Sequence, residues 1–205
     1  MTIITQGTIP PGTAFLEEIA KQCDAEVQAD EKERLKQKKK KRTCQKLGQD
    51  KHKCCDDKIK AHNDPDPPKD PKVEGEKGYK RPEFDSKTAQ PVQPVDTTSL
   101  NTTRGETIQA AIAAAAKGVK GLSKKAARKV IGKAIGKALA GTVWPDAAIV
   151  GPPKRMVDFK FACPESHRSK KKSTKKNYKK PTQSLDQEAA HNALGDGPTI
   201  TIQIP

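Results

Sequence analysis

The chain has 205 residues, with 40 Lys and Arg against 25 Asp and Glu and a formal net charge of +15. A field of that sign favours polyanions, because phosphate neutralisation supplies most non-specific affinity for nucleic acid. Aromatic residues at 3% exclude rows of base-stacking platforms, and 33% hydrophobic content with 16 prolines excludes a core running through the whole chain. One compact domain of roughly 100 residues beside an irregular N-terminal portion is the expectation.

Residues 1–16 open with a short apolar run and a Pro-Pro-Gly turn, and they lack the basic start and continuous apolar core of a signal peptide. Residues 17–61 are polar and helix-prone, with a mixed charge run from Asp30 to Arg42; residues 1–61 are expected to form one polar helical segment carrying cysteines, either an adaptor or a part of the main domain. Seven prolines between residues 62 and 100 predict an extended linker. The main domain is then expected over 101–205.

Residues 104–141 hold the longest helical signal. Ile108, Ile112, Ala115, Val119, Leu122, Ala126, Val130 and Ile135 make an apolar stripe, with Lys117, Lys120, Lys124 and Arg128 largely opposite. Glycines 118, 121, 132 and 136 weaken it, so a break between Gly118 and Ser123 and two helices are as good a reading as one. Nothing reaches the uncharged length of a membrane span, although GKAIGKALAG has the flavour of a cationic membrane-active helix. Glu106 opens the stretch and is the only carboxylate between Asp96 and Asp146; a glutamate there also favours the helix dipole.

Two short apolar strands follow, Trp144 to Val150 and Met156 to Phe161, joined by Gly151-Pro152-Pro153-Lys154-Arg155. Asp146 opens the first. On the second, Asp158 and Lys160 share one face, while Val157, Phe159 and Phe161 share the other. Two carboxylates and an amine at one edge of a hairpin match what Mg²⁺, an attacking water and a phosphate require. The bland alternative is a hairpin with solvated charges. A lysine-rich loop over 164–182 includes Lys170, Lys171 and Lys172, then a helix is expected from Ser184 as N-cap to Gly195 as stop. Thr199 to Ile204 alternates as a terminal strand.

Pro145-Asp146 followed by Asp158-Phe159-Lys160 resembles the PD-(D/E)xK nuclease family. The resemblance implies an α/β (α+β) fold with a restriction-endonuclease-like core, Mg²⁺ or Mn²⁺ as cofactor, Asp146 and Asp158 as metal ligands, and Lys160 as the residue orienting water. It also implies Glu106 as a third carboxylate on the first core helix. That core normally has one more strand before the Pro-Asp strand, and Val143-Trp144 is too short to provide it. Gln187-x-x-x-His191 is similar to the Gln-x-x-x-Tyr motif of the lambda-exonuclease-like branch, with His in place of Tyr, and would hold a phosphate or a water. Lys124 and Lys170 to Lys172 would meet the phosphate backbone of DNA without reading its sequence.

Asp158-Phe-Lys-Phe-Ala-Cys163-Pro, with Cys44, Cys54 and Cys55 upstream, resembles bacterial polymorphic toxin nucleases. That resemblance implies delivery by a secretion apparatus such as type VI, with an adaptor or chaperone, action in a target cell's cytoplasm, and an acidic immunity protein. The five cysteines fit no standard zinc spacing; a bond from Cys163 to Cys54 or Cys55, or from Cys23 to Cys44, stands beside unpaired thiols and zinc as open readings. The rivals to a nuclease are a non-catalytic nucleic-acid-binding module and a membrane-permeabilising toxin built on residues 108–140.

Overall fold

The computed structural model describes residues 2–3, 10–64, 70–167 and 185–204. The chain divides into two units, Met1–Gly75 with Asp146–Pro205, and Glu76–Pro145. The boundary expected at residue 101 is therefore corrected. The N-terminal helices group with the C-terminal strands, and the segment inserted between them forms a unit of its own. The class is mixed, helices with a small mixed sheet, in line with the α+β expectation.

In the first unit, α1 (Thr13–Lys36) and α2 (Cys44–Asn63) pack against each other. Their polar sequences hide narrow apolar rows. Leu16, Ala20, Cys23 and Val27 face inward from α1, and Leu47, Lys51, Cys55 and Ile59 do so from α2. Spacing of three or four residues keeps each row on one side of its helix. Thr43 caps α2 by accepting from the Lys46 amide, and Lys46–Asp50, Lys53–Asp57 and Lys60–Asp56 pairs support its outer face. Gly12 precedes α1 at φ 98, a conformation that glycine adopts without strain.

The sheet of this unit contains β1 (Thr2–Ile3), β2 (Val73–Glu74), β5 (Ala147–Ile149), β6 (Arg155–Phe161) and β7 (Ile200–Ile204), in the order β1-β7-β6-β5-β2. β5 and β6 form the expected antiparallel hairpin, with Ala147 opposite Val157 and Ile149 opposite Arg155. β7 lies parallel to β6, with Asp158 opposite Thr201 and Lys160 opposite Gln203. Val157, Phe159, Phe161, Ile200, Ile202 and Ile204 point into one core with α1 and α2. Asp158 and Lys160 alternate onto the other face of β6, against which α5 (Leu185–Leu194) packs. The strand beside the Pro-Asp strand is β2, drawn from the region read as linker, and not Val143.

The second unit holds β3 (Tyr79–Lys80) paired antiparallel with β4 (Thr142–Val143), and the helices α3 (Arg104–Ala116) and α4 (Lys124–Leu139), which pack on each other. A single turn at Lys117–Val119 and the residues to Ser123 separate the helices, at the break the glycines predict. Thr103 and Glu106 form a reciprocal capping box, and the Ser123 hydroxyl caps α4.

The disulfides are Cys23–Cys54 and Cys44–Cys163, leaving Cys55 as a buried thiol. Neither Cys163 with Cys54 or Cys55, nor Cys23 with Cys44, is the pairing found. The packing of α1 on α2 sets Cys23 beside Cys54, while Cys55, one residue on, points into the core. Burial pushes the Cys55 thiol up to about 12, so it stays protonated.

Candidate active site

Three elements of the first unit bring polar side chains together at one end of the β5–β6 hairpin. Asp146 sits just before β5, and its Oδ2 accepts a hydrogen bond from the Phe159 amide at 2.6 Å. Its Oδ1 lies 3.0 Å from Nδ1 of His52 on α2. The His52 ring stands edge-on to Phe161, 5.3 Å between centroids, which fixes the plane of the imidazole. Asp158 lies close enough to Asp146 for the two carboxyl groups to perturb each other, and the Lys160 ammonium rests on Asp158 Oδ2. Among the described residues no donor is aligned for a hydrogen bond on that buried oxygen.

The charges follow from this packing. Burial and the neighbouring Asp146 carboxylate push Asp158 up to about 7, against the pull of Lys160. Asp146 is held below the ordinary carboxylate value: burial opposes its charge, but the hydrogen bond and charge of His52, the Asp158 hydroxyl and the Phe159 amide outweigh it. The two acids therefore titrate as a pair, with Asp158 pushed towards its protonated form and Asp146 towards its ionised form. Burial also opposes the His52 imidazolium, yet the hydrogen bond and charge of Asp146 raise it above the ordinary histidine value.

The expected residues divide clearly. Asp146, Asp158 and Lys160 converge. His191, on α5, is fully buried; burial pushes it down to about 4, with smaller influences from Asp146 raising it and Lys160 lowering it, so it is neutral and within the field of this cluster. Gln187 is half-buried on the same helix. Glu106 and Lys124 belong to the second unit, where Glu106 closes its capping box. Lys170, Lys171, Lys172 and the cap residue Ser184 lie outside the described residues. His52 was missed. It sits in a lysine-rich helix with no motif around it, and only the packing of α2 on β6 brings it to Asp146.

Two neighbouring buried carboxyl groups, one pushed towards its protonated form by burial and by the other's charge, form a place where a cation would displace a proton. Among the described residues no group of three His, Cys, Asp or Glu side chains makes a ready metal cage. The protein would thus offer two carboxylates and leave the other positions to water and phosphate, as Mg²⁺ commonly does. Within those limits the residues fit. Compared with protein-family models, curated proteins and solved structures, the chain finds no match.

Proposed function

We propose that the first unit is a nuclease with a restriction-endonuclease-like core, dependent on Mg²⁺ or Mn²⁺ and acting on DNA with little sequence preference. The observation that carries this reading is the convergence of Asp146, Asp158 and Lys160 at one end of a strand hairpin. Asp146 and Asp158 would hold the cation. When bound, it supplies Lewis-acid stabilisation of charge on the phosphate. Lys160, kept beside Asp158, orients the attacking water with its ammonium and offsets charge on the phosphorane. His52 steadies the Asp146 carboxylate through its 3.0 Å contact. Neutral His191 offers a hydrogen bond to a phosphate or water without adding charge. Lys170 to Lys172 supply backbone contacts.

The biological setting belongs to the same proposal: an interbacterial toxin, exported by a secretion apparatus with an adaptor or chaperone, active in the target cytoplasm and neutralised by an acidic immunity protein. Two disulfides support passage through an oxidising compartment. The charge of +15 supports an acidic partner that meets the DNA-binding surface. Such a partner is expected to compete with DNA. Equal binding to free and DNA-saturated protein would place it elsewhere.

Supercoiled plasmid incubated with Mg²⁺, with Mn²⁺ and with EDTA tests the chemistry, and cleavage is expected only with the ions. Lys160→Ala should remove most turnover and leave cation affinity nearly intact by calorimetry; lost affinity would make the lysine structural. Persistent cleavage in EDTA would overturn the reading.

A further inference from the structure

We propose that the α3–α4 pair of the second unit is a docking surface for an anionic lipid bilayer, separate from the nuclease chemistry. Between Lys117 and Lys137 the chain carries eight Lys and Arg residues, and no carboxylate occurs between Glu106 and Asp146. Along α4 the residues come in alternating pairs. Ala126-Ala127, Val130-Ile131, Ala134-Ile135 and Ala138-Leu139 are apolar, whereas Lys124-Lys125, Arg128-Lys129, Gly132-Lys133 and Gly136-Lys137 are cationic or glycine. Four-residue spacing lays each set along its own side of the helix.

The apolar side is poorly covered. α4 contributes no buried residue, and α3 contributes only Ala111. Leu122 and Val130 are 44% and 39% exposed, amid the lysines. The cationic side is open as well: among the described residues, nothing comes within 4 Å of where a Cβ would sit on Gly132 or Gly136. A duplex would use the lysines but has no use for the exposed Leu122 and Val130. A bilayer interface uses both, because lysines meet anionic headgroups while apolar side chains enter the acyl boundary. No described helix is long and apolar enough to cross a membrane, so the surface would lie in the plane of the interface.

Vesicle flotation with the full chain tests this. Vesicles of phosphatidylcholine alone are compared with vesicles of phosphatidylcholine and phosphatidylglycerol, and a 20-base-pair duplex is titrated in parallel. The protein is expected to float with the anionic vesicles only. Neutralising Lys129, Lys133 and Lys137 to Gln should lower partitioning by roughly two orders of magnitude, each lysine contributing about fivefold. Leu122→Gln with Val130→Gln should lower partitioning at least about tenfold and leave duplex binding unchanged, with helix content checked by circular dichroism. Asp158→Ala should float like the wild type, so failure of the nuclease reading and failure of this one are distinguishable. Absence of flotation with anionic vesicles, or unchanged partitioning of the Leu122 and Val130 variant, overturns the inference. In the former case, duplex affinity lost on neutralising the lysines assigns the surface to nucleic acid.

Discussion

The two units apply opposite economies to similar lysine-rich sequence. The first has a close-packed core from Leu16 to Ile204 and two disulfides, and it buries charges in pairs: Lys51, 1% exposed, lies 2.5 Å from Asp24, and Glu31 receives His167 at 3.1 Å and the Arg42 amide at 3.0 Å. The second has no cysteine, one buried residue in its two helices, and lysines left in solvent. The difference teaches where rigidity is needed. A catalytic cluster works only if its members are held within a fraction of an ångström, and a dense core provides that. A surface that binds by charge and loose apolar contact needs no such framework.

The sharpest way to break this comparison is Asp158→Ala. Removing a member of a cooperating catalytic group should lower the plasmid cleavage rate by at least about 10³-fold, with duplex binding retained in a filter assay. Retained cleavage would mean that the rigid cluster serves packing alone.

Next in size is the disulfide that spans the insertion. Cys44–Cys163 joins residues 119 apart in sequence, so replacing both cysteines by serine should cost the first unit about 4 kcal/mol and lower its Tm by roughly 10 °C. The second unit, lacking cysteine, should melt as before. A calorimetric scan in which both transitions moved together would show that the units do not unfold separately.

The next effect concerns the cost of keeping Asp158 where it is. Its pKa is about 7 in the folded protein against an ordinary 3.8. Between those values the unfolded chain ionises while the native protein retains the proton, so stability falls as pH rises from about 4 to 7 and stays low above. Asp158→Asn removes that penalty. In EDTA its Tm should exceed that of the wild type at pH 8, and the gap should shrink towards pH 4. A gap independent of pH would mean the acid is not strained by its burial.

Much of the first unit was legible because its signals are local. The strand from Met156 to Phe161 and the one ending at Ile204 show alternation that period-two patterning exposes, and Asp158 and Lys160 share a face for that reason alone. The helix break before Ser123 follows from glycine. What sequence hid is long-range. β2 is two residues long and carries no pattern of its own; it is a strand because β5 offers an edge. α1 and α2 read as solvated because their apolar rows are narrow among many charges, and their packing on the sheet brings His52 to Asp146 and Cys23 to Cys54. Glu106 was open to two readings, because a carboxylate at a helix start serves a cap as readily as a metal, and a capping box is what it forms.

The smallest expected effect tests the thin core directly. Ile202 is fully buried between α1 and β6, so Ile202→Ala should cost about 3 kcal/mol through lost transfer energy and the cavity left behind. Ile131 lies half-buried on α4, where the same truncation removes fewer contacts. Alanine is also the better helix former, which offsets part of the loss. Ile131→Ala should therefore cost less than about 1 kcal/mol, read as a shift of the second unit's transition in urea. A cost matching that of Ile202→Ala would show that the α3–α4 contact is a true core, and the contrast between a densely packed unit and a lightly built cationic one would fail.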